Sequence, residues 1–96
     1  MRIIERPKPF RQDSKRENRG EYRRLLVIGG EFERIVLALA NDESLPLSYR
    51  DHPLRGEWEG SRECHIRPDF LLIYTYEGDD VLRLERLGDH SRLFGL

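Results

Sequence analysis

Ninety-six residues, 36% of them charged and 38% hydrophobic, make one domain with a modest core. A formal net charge of -1 excludes nucleic-acid binding by bulk charge, and no apolar run approaches the ~18–20 residues that span a bilayer. A single cysteine, Cys64, excludes an internal disulfide and fits a reducing compartment.

The opening M-R-I-I-E-R-P-K-P-F has no hydrophobic signal-peptide core. A soluble, cytoplasmic protein with no membrane partner is therefore expected. The charge is unevenly spread. Residues 1–30 carry nine Lys or Arg against four Asp or Glu, and residues 31–96 carry eight against fourteen. The basic end suits phosphates, an acidic partner or a solvated helix surface, and charge alone leaves these open.

Arg2 to Glu5 is a short apolar start bounded by prolines, and reads as a first strand. Pro9 suits the beginning of a helix, where its missing N–H costs nothing. Phe10 to about Ile28 is mostly helical by propensity, with Asn18-Arg19-Gly20 weakening its middle, so a polar, exposed helix broken or frayed near Gly20, with its second part packed, is expected. Glu31 to about Asn41 reads as a second helix, because Phe32, Ile35, Val36 and Leu39 recur at the spacing of a buried face. Two helices with a short joint form a hairpin over one side of a sheet. Asn41 to Arg50 is a loop, with Leu45 and Leu47 expected to tuck against the core.

Leu54 to Gly60 reads as irregular or briefly extended, with Trp58 as a core or rim anchor. Arg62 to Arg67 is a strand. Pro68-Asp69 is a turn or strand edge. Phe70 to Tyr76 is the strongest strand, and its continuous apolarity makes it central. Glu77 to Asp80 is a hairpin joint, and Val81 to Leu87 is the next strand. Gly88 to Leu96 closes the chain with a turn and a short helical piece. Helices early and strands late give an α+β fold: a small curved, mostly antiparallel sheet under a two-helix hairpin, in the order β-α-α-β-β-β with one further strand allowed.

All three histidines, His52, His65 and His90, lie in the second half, each at or near the edge of an element. Such placement lines proton-transfer groups along one side of a sheet. The same half carries D-H-P-L-R-G (Asp51 to Gly56), W-E-G (Trp58 to Gly60), H-I-R-P-D-F (His65 to Phe70), L-I-Y (Leu72 to Tyr74) and L-E-R-L-G-D-H-S-R-L-F-G (Leu84 to Gly95), preceded by L-P-L at Leu45 to Leu47. In order and spacing these segments resemble bacterial toxins of the RelE/ParE superfamily, specifically the YafQ branch.

That resemblance implies a single toxin domain acting as a ribosome-dependent endoribonuclease on messenger RNA. It also implies silencing by a cognate antitoxin encoded beside it, in a hetero-oligomer. It places His52, His65, Asp69 and His90 in catalysis, Arg86 as a phosphate clamp, and Phe94 near the site. The aromatic after the family's aspartate is usually tryptophan and here is Phe70. The departures lie in the very polar, longer region around Arg16 to Gly20 and in the near-neutral net charge.

RNA can be cut without a metal or cofactor when its 2′-hydroxyl attacks the adjacent phosphorus. The protein must then supply a base, an acid and positive charge. Histidine suits the first two tasks and arginine the third. Asp69 can be the base or can orient a histidine, and both remain open. His65 or Asp69 is the preferred base, and His90 or His52 the preferred acid. Strand alternation puts Arg86 on the face of Leu82 and Leu84, where it must sit at the strand end, pair internally or hold a ligand. Arg55, Arg62, Arg67, Arg83 and Arg92 line a phosphate track or merely solvate the surface. Phe94 stacks on a base or seals the core edge. No metal is expected: the histidines and Cys64 lack compact ligand spacing, and adjacent Cys64 and His65 point to opposite faces of a strand. The competing readings are a non-catalytic toxin of the same fold that binds a protein target, and a degenerate member that regulates transcription with its antitoxin.

Overall fold

Three hydrophobic strands in the second half pair into the centre of a five-stranded sheet of order β1-β5-β4-β3-β2. The structure is a computed structural model that describes residues 1–95. Strands β3 (Arg62–Arg67), β4 (Phe70–Glu77) and β5 (Val81–Gly88) form an antiparallel meander. The edges are short. β1 (Ile3–Glu5) runs parallel to β5, and β2 is only His52–Pro53, paired with Arg62 and Glu63. The α+β class and mostly antiparallel sheet match expectation. The further strand allowed by the sequence is the two-residue β2, and it is the element that places His52 beside Glu63.

Helix α1 spans Lys8–Glu17 and α2 spans Glu31–Ala40. The expected helix to Ile28 ends at Glu17, with Asn18 as its C-cap. Only Arg23–Leu26 regains a helical turn, of the tighter 3₁₀ kind. Packing explains the break. Tyr22 stacks on Phe70 with ring centroids 4.6 Å apart, and Leu25 and Leu26 pack on the core. The chain therefore follows the sheet and leaves the axis of α1. Leu45 packs on the core as expected, but Leu47 is 95% exposed, in a 3₁₀ turn at Leu47–Tyr49. The final helix, α3, is His90–Phe94, capped by the Asp89 side chain accepting the Arg92 N–H. Leu96, the last residue of the expected closing segment, lies outside the described residues.

The sheet has two dressed faces. On one, Phe10, Ile35, Val36 and Leu39 of the helices cover Cys64, Phe70, Leu72, Tyr74, Leu82, Leu84 and Leu87. On the other, Leu71 and Ile73 pack with Leu93 of α3, with Leu54, Trp58 and Phe94 at the rim. Burial on both faces explains why β4 reads as continuously apolar, and Phe70 to Tyr74 are all fully buried.

A bulge reverses one expectation. Ile73 pairs with Arg86 and Tyr74 pairs with Leu84, so Glu85 is the extra residue. Directly opposite residues share a face, so Arg86 lies with Ile73, away from Leu82 and Leu84. Simple alternation had placed it on the wrong side.

Beyond the end of β1, helix α1 takes over the free edge of β5. The Leu87 N–H donates to Asp13 Oδ2 at 3.0 Å, and Arg16 donates to the Leu87 carbonyl at 2.9 Å. Side chains thus complete what a neighbouring strand would have satisfied. A Cβ on Gly88 would lie 2.7 Å from the Arg16 guanidinium, so a larger residue there would displace the arginine from the Leu87 carbonyl.

Candidate functional site: three histidines around a buried carboxylate

The face of the sheet opposite α1 and α2 gathers all three histidines. The His52 and His65 rings lie 5.7 Å apart between centroids, and His65 and His90 lie 5.6 Å apart. His65 is central and 7% exposed, whereas the side chains of His52 and His90 are 44% and 39% exposed. Three different elements supply them. β2 carries His52, β3 carries His65, and the first turn of α3 carries His90.

The residue that joins them is Glu63, which sequence reasoning missed. It is 4% exposed. Its Oε2 lies 2.9 Å from His52 Nε2 and 3.8 Å from His65 Nε2, and its Oε1 lies 3.8 Å from His90 Nε2. Oε1 is buried and has no hydrogen-bond partner among the described residues. A carboxylate in such a place is costly unless positive charge stands beside it. The signal available in the sequence was its spacing: Glu63 is two residues before His65, so alternation puts both on one face.

The hydrogen bonds orient the rings. His52 Nδ1 is 2.5 Å from the Arg50 carbonyl while its Nε2 faces Glu63. Both of its ring nitrogens therefore face acceptors. Asp69 holds His90 differently. One oxygen, Oδ1, accepts both the His90 backbone N–H at 2.9 Å and Nδ1 at 2.7 Å. With the proton on Nδ1, Nε2 carries the lone pair and points toward the cluster. The His90 backbone N–H, then its ring, hold the Asp69 carboxyl below the usual carboxylate range. His65 Nδ1 is 3.4 Å from the Pro68 carbonyl, so the Pro68-Asp69 turn steadies two of the three rings.

Asp51 fixes the start of this arrangement. Tyr74 donates its hydroxyl to Asp51 at 2.7 and 2.8 Å, and Arg62 pairs with Asp51 at 3.2 Å. Burial, then Asp51, push the Tyr74 hydroxyl pKa upward, so it stays a donor. The contact tethers the chain immediately before His52.

The cations expected around the site are mostly engaged. Arg86 donates to Asp13 through Nε at 2.6 Å and Nη2 at 3.2 Å. Burial alone would raise the Asp13 carboxyl, but hydrogen bonds from Arg86, the Leu87 N–H and Arg16 outweigh it and hold it low. Arg62 lies on the helix side with Tyr74, and Arg67 forms a fork with Glu31 at 2.9 and 3.1 Å. Arg83 sits among Glu5, Glu77 and Glu85, and Arg92 pairs with Asp89. These four do not make a continuous track beside the histidines. Arg55 is exposed, at the start of the 3₁₀ turn Gly56–Trp58. Phe94 both packs on the second cluster and lies 6.1 Å from the His90 ring, tilted by 32°.

Ligand atoms of His52, Glu63 and His65 all lie within 4.8 Å of one another. Two strands create it: β3 carries Glu63 and His65 two residues apart, and β2 brings His52 across from Glu63. Two imidazoles and a carboxylate suit a borderline transition ion, and the partnerless Glu63 Oε1 leaves one oxygen available.

Comparison with known proteins agrees with this architecture. An mRNA interferase toxin YafQ from Escherichia coli K12 is 48% identical over 61 residues, covering 64% of this chain and 65% of the relative. That alignment thus spans just under two thirds of the relative's length. Among solved structures, a copper-bound mutant toxin from Helicobacter pylori superposes with a TM-score of 0.83 at 35% identity, covering 98% of this chain and 100% of that one. The toxin of the E. coli DinJ-YafQ toxin-antitoxin complex gives 0.80 at 37% identity, covering 98% of both chains. The family described as the bacterial toxin of type II toxin-antitoxin systems, YafQ, matches residues 2–95. With that match spanning nearly the whole chain, this protein belongs to the YafQ toxin family.

Proposed function

We propose that this chain is an endoribonuclease toxin that cuts messenger RNA on the ribosome by acid–base chemistry and is neutralised by a cognate antitoxin. The observation that carries the reading is the pairing of two half-exposed histidines across the buried Glu63 carboxylate, one oriented by Asp69 and the other by the Arg50 carbonyl. In this scheme His90, with its proton on Nδ1, offers its Nε2 lone pair as the base, and His52 acts in its protonated form as the acid. A 2′-hydroxyl that loses its proton to His90 attacks phosphorus, and the leaving 5′-oxygen takes a proton from His52. The products are a 2′,3′-cyclic phosphate and a 5′-hydroxyl. In this scheme Asp69 and Glu63 are positioning residues. His65, too buried to reach far, spaces the other two rings.

Arg86 supplies charge for the phosphorane. Its contacts to Asp13 use two of five N–H groups, so three remain for phosphate oxygens and the guanidinium plane is already fixed. Ribosome dependence is supported by the ion pairing of the arginines on the strands and α3. Arg62, Arg67, Arg83 and Arg92 all face carboxylates, so this part of the chain alone has little to hold an RNA strand. A body that presents the strand makes up for this, and it places the protein in the cytoplasm.

No step is routed through a metal. His52, Glu63 and His65 would hold one, and a Lewis acid there would polarise a phosphate oxygen. The same three residues serve as acid, positioner and spacer, so an ion would displace the proton that the reaction uses. The antitoxin is expected because a relative of this fold is solved in a toxin-antitoxin complex. Cleavage of a short messenger RNA with and without programmed ribosomes tests the whole reading.

A further inference from the structure

A cavity of about 250 Å³ adjoins the histidine cluster, between β3, the 3₁₀ turn Leu47–Tyr49 and the start of α2. Its walls include Glu31, Tyr49, Arg50, His65, Arg67 and Pro68. His65 belongs to both places. Its ring stands next to those of His52 and His90, and its Nδ1 lies 3.4 Å from the Pro68 carbonyl. The volume suits one nucleobase, and a base seated here belongs to a nucleotide beside the reacting phosphate.

The Arg67 guanidinium in this cavity is fixed but not saturated. Nη1 donates to Glu31 Oε2 at 2.9 Å and to the Ile66 carbonyl at 2.6 Å, and Nη2 donates to Glu31 Oε1 at 3.1 Å. Three of its five N–H groups are thereby used. The two that remain, one on Nε and one on Nη2, share an edge of the plane and have no partner among the described residues. Glu31 is itself secured by the Tyr49 hydroxyl at 2.8 Å, and the bond from Arg67 leads in holding its carboxyl below the usual range. Two parallel donors on a plane that cannot turn match the O6 and N7 acceptors of guanine. Adenine presents a donor where guanine has O6, and the pyrimidines have no N7. A plain ion pair between α2 and β3 needs neither the cavity beside it nor the free edge.

Arg50 brings charge to the same cavity. It is exposed, has no carboxylate partner among the described residues, and holds a left-handed backbone at φ +50°. That conformation is uncommon for any residue but glycine, and with it the Arg50 carbonyl reaches His52 Nδ1 at 2.5 Å. His52 protonates the leaving 5′-oxygen in the scheme above, so the cavity lies on the side of the departing nucleotide. We propose that it holds a guanine on the leaving side of the cut, read by Nε and Nη2 of Arg67, with Arg50 on an adjoining phosphate; this rests on the messenger RNA reading above.

The test measures single-turnover cleavage by the full chain on programmed ribosomes. Four messages differ only in the base after the cut, and a fifth carries 7-deazaguanine there, which lacks N7. Wild type is expected to cut the guanine message about tenfold or more faster than the adenine and pyrimidine messages, with 7-deazaguanine between them. Arg67→Lys keeps the charge and loses the two-donor edge, so it should cut all five at similar rates. Arg50→Gln should slow all five alike, through weaker binding, and keep the preference. Circular dichroism checks that both variants fold, and the base series on wild type needs no variant. Wild-type cleavage indifferent to the base, or a guanine preference that survives in folded Arg67→Lys, overturns the subsite and leaves the endonuclease reading standing. No cleavage of any message overturns both.

Discussion

One carboxylate oxygen of Asp69 accepts both the backbone N–H and the ring Nδ1–H of His90, at 2.9 and 2.7 Å. The first turn of α3 and the ring it carries are thus aligned by a residue twenty-one positions earlier. Asp69→Asn retains an oxygen for the backbone contact and loses the charge that favours the Nδ1 proton. Single-turnover cleavage should fall by about tenfold or more, as when the orienting partner of a histidine base is removed. The melting temperature should stay close to wild type, because Asp69 is exposed. A lowered melting temperature with unchanged cleavage would make the contact structural only.

Glu63 offers a sharper separation of stability from activity. Glu63→Gln keeps the shape and removes a buried charge whose Oε1 has no partner. Stability should stay within about 1 kcal/mol of wild type or rise, since buried charges contribute little net. Cleavage should drop at least tenfold, because His52 loses the carboxylate that faces its Nε2. Denaturant melts and single-turnover cleavage on the same preparation decide it. Full activity in the variant would remove Glu63 from the site.

Asp13 ties α1, Arg86 and the edge of β5 together, so its removal should be felt in both stability and chemistry. Asp13→Asn should cost about 1–3 kcal/mol at neutral pH, as for loss of a buried, charge-assisted hydrogen bond. The pH dependence has a definite sign. A carboxyl held low when folded contributes its full stability above its unfolded pKa of about 3.9, and loses it as pH falls through the folded value. The gap between wild type and variant should therefore narrow below about pH 4. A constant gap would mean that the charge of Asp13 is not what matters.

Cys64 is fully buried, and burial, followed by Asp51 and Glu63, pushes its thiol up to about 12. It should resist a disulfide reagent at pH 8 while the protein is folded and react at once in denaturant. Rapid labelling of the native protein would show that β3 opens locally.

The metal question has a direct assay. If the reaction uses protons alone, cleavage should persist in excess EDTA. Added zinc should inhibit by occupying His52, Glu63 and His65. Loss of activity in EDTA, restored by zinc, would reverse the assignment.

Much of this fold is written locally in the chain. The stripe Phe32, Ile35, Val36 and Leu39 gave α2 almost to the residue, and the apolar run from Phe70 gave the central strand. Two features escaped because they depend on partners distant in sequence. The bulge at Glu85 breaks the period of two that places side chains on faces, and no residue in V-L-R-L-E-R-L announces it. Glu63 carries no motif of its own, and its place in the site depends on two-residue β2, which lays His52 across from it. The break near Gly20 was legible in Asn18-Arg19-Gly20, whereas the short 3₁₀ turn beyond it was not, because Tyr22 packs on Phe70, forty-eight positions on. The histidines and Asp69 were found because family motifs mark them, whereas the internal pairing of Arg86, Arg67 and Arg62 required their acidic partners to be placed in space.

The most direct measurement is primer extension on a short messenger RNA, with and without programmed ribosomes, comparing wild type with His90→Ala and Arg86→Ala. The account predicts cuts only in the presence of ribosomes and at least tenfold less cleavage in both variants, with His90→Ala still associating with ribosomes. Absence of cuts from folded, monodisperse wild-type protein, or equal cleavage in His90→Ala, would contradict it.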